Sequence, residues 1–295
     1  MSNQKPFQEK VGASTRKCVR KLNFSPEYVE KMKTISRRTV QTYISGQTWG
    51  HSYKVGSQPL LSEKNKFDRL WFCQMVEHER YVDCTLNGKL KLYHILFTDE
   101  SPIELFPVPN RQNTRFRTDS KAKVPKVGVP KNSEHVMIAG GISAFGKTQL
   151  HIVPKNQNVN AKYYVEEILP IYLQAKHDSE LFPDADNVVF MQDGAPAHTA
   201  KRTLTEIYKH FDDYFVWSKD VWPGNSPDLN PIELLWEIIQ QSVFVPPRPT
   251  NRNQLIVRIN EAWNSIETSL LVKLYDSWHT RITSCLANGG GNTDF

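Results

Sequence analysis

NVVFMQDGAPAHTAKRTLTEIYKHFDDYFVWSKDVWPGNSPDLNPIELLWEIIQ, residues 187–240, is the stretch from which the fold is read. Val188 to Met191 is an apolar run of strand length, and it leads to a carboxylate, Asp193. Gly194-Ala195-Pro196 turns the chain. Ala200, Leu204, Ile207, Tyr208 and Phe211 then recur at helical spacing, and Tyr214 to Trp217 reads as a short second strand. The turn-rich run Trp222-Pro223-Gly224-Asn225-Ser226-Pro227 delivers the chain to Asn230-Pro231-Ile232-Glu233. Asn suits a helix N-cap and Pro the first helical position, so a helix starts here. One carboxylate thus stands at a strand's end and another in the first turn of a later helix.

A third carboxylate belongs with them. Upstream, Leu92 to Thr98 reads as a buried strand that ends in Asp99-Glu100-Ser101. If the two strands are neighbours in one sheet, Asp99 and Asp193 lie side by side at its edge, and Glu233 closes the site from its helix. Three converging carboxylates repel one another unless cations neutralise them. Hard oxygen ligands with room for water and phosphate suit Mg²⁺ or Mn²⁺. Two such ions about 3.5–4 Å apart clamp the attacking and leaving oxygens of a phosphodiester displacement.

FTDES, QDGAPAHTA and WPGNSPDLNPIELLW, in this order, resemble the catalytic signatures of the mariner superfamily of cut-and-paste DNA transposases. A weaker match runs upstream through Pro59-Leu60-Leu61-Ser62-Glu63-Lys64-Asn65-Lys66 and Arg69-Leu70, so the likeness covers most of the chain. The resemblance implies a ribonuclease-H-like fold with Asp99, Asp193 and Glu233 as catalytic triad and ligands of two Mg²⁺ or Mn²⁺ ions. It further implies cleavage of double-stranded DNA at terminal inverted repeats, strand transfer into TA target sites, a homodimer, and work in the nucleus. Two other readings stand beside it: a domesticated copy that binds DNA without cutting, and a ribonuclease-H-like nuclease without strand transfer. Thirty-nine residues separate Asp193 from Glu233, a few more than in the best-known members, and the extra length falls around Asp212 to Asp220.

Each triad member also has a purely structural reading. Asp193-Gly194 after a strand is a common turn. Asn230 and Glu233 stand at the spacing of a capping box. Asp99 could end a strand and do nothing more. Their joint occurrence inside the matching text favours the site. The neighbouring carboxylates Glu100, Asp228 and Glu237 receive no catalytic role, and Asp228 is expected to shape the turn before the helix. His198, one turn after Asp193, reads either as a packed histidine or as a contact to substrate or metal-bound water.

The chain of 295 residues is 39% hydrophobic and 11% aromatic, enough for a substantial core. Its net charge of +6 is unevenly spread. Residues 1–60 hold eleven Lys or Arg against three Glu, a net of +8, which leaves −2 for the remainder. A basic module attached to a separate catalytic body has this distribution. Three divisions are expected: a helix-turn-helix DNA-binding region over 1–58, short for the family; a linker helix within 59–88; and a catalytic domain with C-terminal helices over 89–295. Ser36 is a good helix start, after which Val40 and Ile44 share one face and Arg37, Arg38 and Gln41 another. That fits a recognition helix facing phosphates and base edges, or an ordinary amphipathic helix with a solvated basic face. In the linker helix Phe67, Leu70, Trp71 and Met75 are expected on the apolar face, with Lys64, Lys66 and Arg69 pointing elsewhere. The segment 111–131, with Arg115, Arg117, Lys121 and Lys123, reads as a basic loop on a DNA backbone or as a solvated surface loop.

Further elements complete an α/β pattern. Ile103 to Phe106 is expected as a hairpin partner of the Asp99 strand. Strands are expected at 135–143 and 148–153, helices at 160–174 and in two C-terminal stripes ended by Gly289-Gly290-Gly291. Strand, hairpin strands, helix, strand, helix, strand, helix is the order of a mixed sheet covered by helices. The four cysteines, Cys18, Cys73, Cys84 and Cys285, lack metal-ligand spacing and read as free thiols of a soluble intracellular protein. No apolar run has membrane-spanning length, and no membrane partner is expected.

Overall fold

The computed structural model describes residues 60–79, 85–86, 89–107 and 133–293, together with Ser36, Arg38, Thr39, Thr42 and Tyr43. The chain divides into two compact units, residues 1–58 and 59–295. In the first, Ser36 Oγ accepts from the Thr39 N–H at 3.0 Å, an N-cap for the helix that carries the exposed Arg38. Arg37 and Gln41 lie outside the described residues, as do Arg115, Arg117, Lys121 and Lys123 of the basic segment.

The second unit is built on a five-stranded mixed sheet. Its strands are β1 (Ile95–Glu104), β2 (His135–Ile142), β3 (His151–Ile152), β4 (Val189–Met191) and β5 (Val216–Trp217), in spatial order β3-β2-β1-β4-β5. β1 pairs antiparallel with β2 and parallel with β4, and β4 pairs parallel with β5. β1 runs on past Asp99 to Glu104, so Ile103 is part of the same strand and its hairpin partner is β2. Pro102 fits inside this strand because β4 pairs only as far as Phe97, leaving one edge open where a missing N–H costs nothing.

Alternation along the strands feeds two cores. Ile95, Phe97, Val189 and Met191 face one side, where helices α1 (Glu63–His78), α5 (Pro231–Val243), α6 (Arg252–Asn264) and α7 (Thr268–Ala287) cover the sheet. Leu96, Phe190 and Val216 face the other, against α2 and the pair α3 (Pro196–Thr199) and α4 (Lys201–Ile207). α2 comprises Ala161–Tyr163, a π turn Tyr164–Ile168 and Leu169–Lys176. Pro170 has no N–H for the Glu166 carbonyl, and the helix widens there, with the Leu169 N–H reaching back to Tyr164 O. The first core is rich in indole rings: Trp217 stacks on Trp278 at 6.3 Å and meets Phe72 edge-on at 5.2 Å. Each such buried side chain contributes about 1.5–3 kcal/mol.

Arg69 overturns the expected face of α1. The buried residues are Arg69, Phe72, Cys73 and Val76, while Phe67 and Trp71 are 68% and 46% exposed. Arg69 can be buried because each of its three nitrogens donates: Nη1 and Nη2 to the two carboxylate oxygens of Asp228 at 2.7 Å, and Nε and Nη2 to the carbonyls of Gly290 and Gly291. Gly290, at φ +82°, permits this approach, since a Cβ there would stand 2.0 Å from Lys66 O. α1 therefore packs on the catalytic body, against α7. Cys73 and Cys285 are buried free thiols; Cys18 and Cys84 lie outside the described residues. Among the described residues no helix is long and apolar enough to cross a membrane.

Candidate active site

Sheet register sets the site. Phe97 on β1 lies opposite Met191 on β4, so two residues further along Asp193, just past the end of β4, stands beside Asp99, which is still within β1. Asp99 has the parity of Phe97 and faces α5; Glu100 has the parity of Leu96 and faces α2 and α3. α5 starts as its sequence demands: Asn230 caps it, accepting from the Ile232 N–H at 3.3 Å, and Pro231 fills the first position. Glu233 enters from α5 close enough to Asp99 for each carboxyl group to perturb the other's titration.

The sheet and helix thus press two half-buried carboxyl groups together. Burial, then the charges of Glu233 and Glu100, push Asp99 well above the usual carboxylate range. Burial also raises Glu233; Asp99 offsets part of this, while Glu237 and Asp193 repel it further. Trp236, one turn beyond Glu233, donates its indole N–H to Asp99 Oδ2 at 2.9 Å.

Asp193 is handled differently. Its Oδ1 accepts from the Ala195 N–H at 2.9 Å and lies 2.5 Å from His198 Nδ1. His198 Nε2 lies 3.2 Å from Glu100 Oε2, and the Tyr164 ring packs 4.4 Å from the imidazole. Burial alone would depress His198, but its bonds to Asp193 and Glu100 prevail and hold it at about 10. Burial alone would raise Asp193, yet His198 brings it below its usual value. The helix expected over 200–211 is correspondingly broken: Ala200 is extended, at ψ 140°, between α3 and α4, and the Thr203 hydroxyl takes the Ala197 carbonyl at 2.6 Å.

Asp99 and Glu233 therefore face each other, and Asp193 stands just past the end of the next strand with His198 as its counter-ion. Among the described residues, no three His, Cys, Asp or Glu side chains already form a metal cage. The donor set nevertheless fits a hard divalent cation: oxygen ligands only, two of them half-buried, mutually repelling and, among the described residues, without a protein cation. Reading the sequence left Glu100 and Trp236 without roles. The signals were present, since Glu100 has the opposite parity to Asp99, and Trp236 stands one helical turn after Glu233.

A family model described as DDE superfamily endonuclease matches residues 94–256. The chain belongs to this family. It is 27% identical over 267 residues to the transposable element Tc1 transposase of Caenorhabditis elegans, covering 89% of this chain and 88% of that protein. To the transposable element Tcb2 transposase of Caenorhabditis briggsae it is 24% identical over 273 residues, covering 91% and 90%. Its fold is that of the Mos1 mariner paired-end complex with Mn, at TM-score 0.72 and 16% identity over 98% of this chain and 78% of that one. The catalytic domain of Mos1 mariner transposase aligns at TM-score 0.59 and 16% identity, over 81% and 100%. The sheet and its covering helices are accordingly the ribonuclease-H-like fold of a DDE transposase.

Proposed function

We propose that this DDE-superfamily transposase cuts double-stranded DNA at terminal inverted repeats and transfers the freed ends into TA target sites, with Asp99, Asp193 and Glu233 as its catalytic carboxylates. The observation that carries the reading is the half-buried Asp99–Glu233 pair, which no Lys, Arg or His among the described residues neutralises, beside a third carboxylate just past the end of the adjacent strand. Buried like charges persist when a ligand supplies the opposite charge. Two Mg²⁺ or Mn²⁺ ions held by the three carboxylates would activate water and stabilise the charge that develops on the phosphodiester.

The chain's own groups supply position. β1 fixes Asp99 and the end of β4 fixes Asp193 beside it, and α5 brings Glu233 over the sheet. Trp236 and His198 hold the two aspartates. Catalysis of this kind rests on preorganised geometry and electrostatics, without a covalent protein intermediate. The basic residues 1–60, with Arg37, Arg38 and Gln41, would supply DNA affinity, aided by Arg115, Arg117, Lys121 and Lys123. A pair of DNA ends held together calls for a homodimer, and chromosomal DNA as substrate places the work in the nucleus.

The test uses the full chain and DNA carrying the element's own ends. Asp193→Ala should retain binding in a gel shift and lose Mg²⁺- or Mn²⁺-dependent nicking by about 10²–10³-fold or more. Removing a negative charge near phosphate should leave affinity equal or higher. The exposed Glu261, on α6, provides the control: Glu261→Gln should nick normally. If the unmutated protein binds the ends and never nicks, a domesticated DNA-binding protein is the correct reading. If it nicks but a pre-cleaved end is never joined to target, it is a nuclease without strand transfer.

A further inference from the structure

We propose that Trp236 is a positioning residue for the cation site, acting by holding Asp99 through its indole N–H. The inference rests on Asp99 being a metal ligand, as argued above, and it adds a residue that lies outside the carboxylate triad.

Glu233 and Trp236 are three residues apart on α5 and so share a face. Both reach Asp99, one as a second carboxylate and the other as a donor at 2.9 Å. An indole N–H is a donor only and carries no charge. It can fix the rotation of the Asp99 carboxyl while leaving the negative charge for a cation. A Lys or Arg at the same place would neutralise the ligand.

The donor is itself built in. Trp236 is 2% exposed, and its ring stacks on Trp263 at 5.6 Å and 24°. Trp263 is in turn anchored by its own N–H to Thr148 O at 3.1 Å. The cross-strand partner of Asp99 is Gly140. A Cβ at Gly140 would come within 2.9 Å of Trp263 Cη2 and 3.3 Å of Trp236 Cη2. Beside Asp99 the sheet is bare of side chain where the two rings lie, and the indole reaches the carboxylate across that gap. Helix, stack and glycine together aim one neutral donor at one ligand oxygen.

The experiment compares Trp236→Phe, which keeps a stacking ring and removes the N–H, with Gly140→Ala, which crowds the rings and keeps the donor. Mn²⁺ affinity is read from free Mn²⁺ by electron paramagnetic resonance, apart from any activity. Outer donors to a metal ligand are typically worth 10–100-fold in affinity, so Trp236→Phe should weaken Mn²⁺ binding by about 10-fold or more. The Mn²⁺ concentration for half-maximal nicking should rise by the same factor, while the rate at saturating Mn²⁺ and the DNA gel shift change little. Gly140→Ala should show the same split to a smaller degree. Unchanged Mn²⁺ affinity in a folded Trp236→Phe protein overturns the proposal. An independent readout is the Trp236 indole resonance in ¹⁵N-labelled protein, assigned by its absence from Trp236→Phe. It should move in Asp99→Ala and on adding Mg²⁺ to the unmutated chain. A resonance that ignores Asp99→Ala overturns the Trp236 assignment even if the unmutated protein binds no metal, an outcome that would separately overturn the function proposed for the site.

Discussion

Asp228 and Glu233 are five residues apart at the start of α5, and the protein treats them in opposite ways. Asp228 meets Arg69 through both oxygens at 2.7 Å and also accepts from the Thr293 N–H at 2.9 Å. Burial alone would raise it, but these partners hold it below its usual value. Glu233 is set against Asp99, and both are pushed upward by burial. A carboxylate fully matched by the protein's own cation is a structural clamp: this one ties α1, the turn before α5 and the C-terminal segment together. The Asp99–Glu233 pair, which no cation among the described residues matches, has its repulsion relieved by a proton or by a bound cation, and that is the mark of a cation-binding site.

The largest effect expected from this contrast lies at the clamp. Arg69→Ala should destabilise the protein by about 3–5 kcal/mol, because it strands a buried carboxylate. Arg69→Met combined with Asp228→Leu should restore much of that loss, since an apolar pair needs no matching charge. Urea unfolding of the two single variants and the pair gives the coupling directly. Near-zero cost for Arg69→Ala would mean that Asp228 finds water on its own, and the contrast would collapse.

The opposite is expected at the site. Asp99→Asn removes one of two repelling charges and keeps the size. It should lower metal-dependent nicking by about 10²–10³-fold and yet raise the melting temperature of the metal-free protein, by about 2–4 °C for each kcal/mol of repulsion relieved. The pH dependence has a definite sign. An acid raised on folding contributes stability below its unfolded pKa and loses it as pH rises through the folded value. The metal-free protein should therefore weaken from the usual carboxylate range upward, more so than Asp99→Asn, and Mg²⁺ should flatten the difference. Calorimetry with and without EDTA checks it; a lower melting temperature for Asp99→Asn without metal would show that the pair is not strained.

Much of this was legible in the sequence. Asn230-Pro231 started a helix because cap and first-turn preferences are local, and the apolar runs at 92–98 and 188–191 mark strands because both faces of that sheet are covered, although Lys91–His94 forms a 3-10 turn and the strand begins only at Ile95. Asp193 and Glu233 followed from a strand end and a helix start, whereas Asp99, expected at a strand's end, lies in the middle of β1. What was not legible depends on partners distant in sequence. Arg69 looks solvent-facing until Asp228, 159 residues away, comes to meet it. The Asp99–Trp236 bond spans 137 residues. The break at Ala200 interrupts a good helical pattern two residues after His198 meets Glu100 and Asp193, contacts that no periodicity records.

The last expected effect concerns the third cluster, which sits between the two extremes. Asp193 and Glu100 share one cation, His198, whose side chain is 4% exposed. Despite its burial, the two carboxylates raise His198 to about 10. A base raised on folding contributes stability that is complete below its unfolded pKa, about 6.5, and is lost as pH climbs through the folded value. Within that window the folded protein holds a proton that the unfolded chain does not, so stability falls with pH by roughly 1 kcal/mol per unit. His198→Gln keeps a donor of similar size but cannot take up the proton. The free-energy difference between the unmutated protein and His198→Gln, both in EDTA, should therefore be greatest near pH 6 and shrink steadily toward pH 10. Comparing the two proteins at each pH cancels the titration of surface Lys and Tyr that both share. A difference that stays constant across this range would mean that His198 is a neutral packed ring. Asp193 would then stand as unmatched as Asp99 and Glu233, and all three carboxylates would depend on added cations for their charge balance.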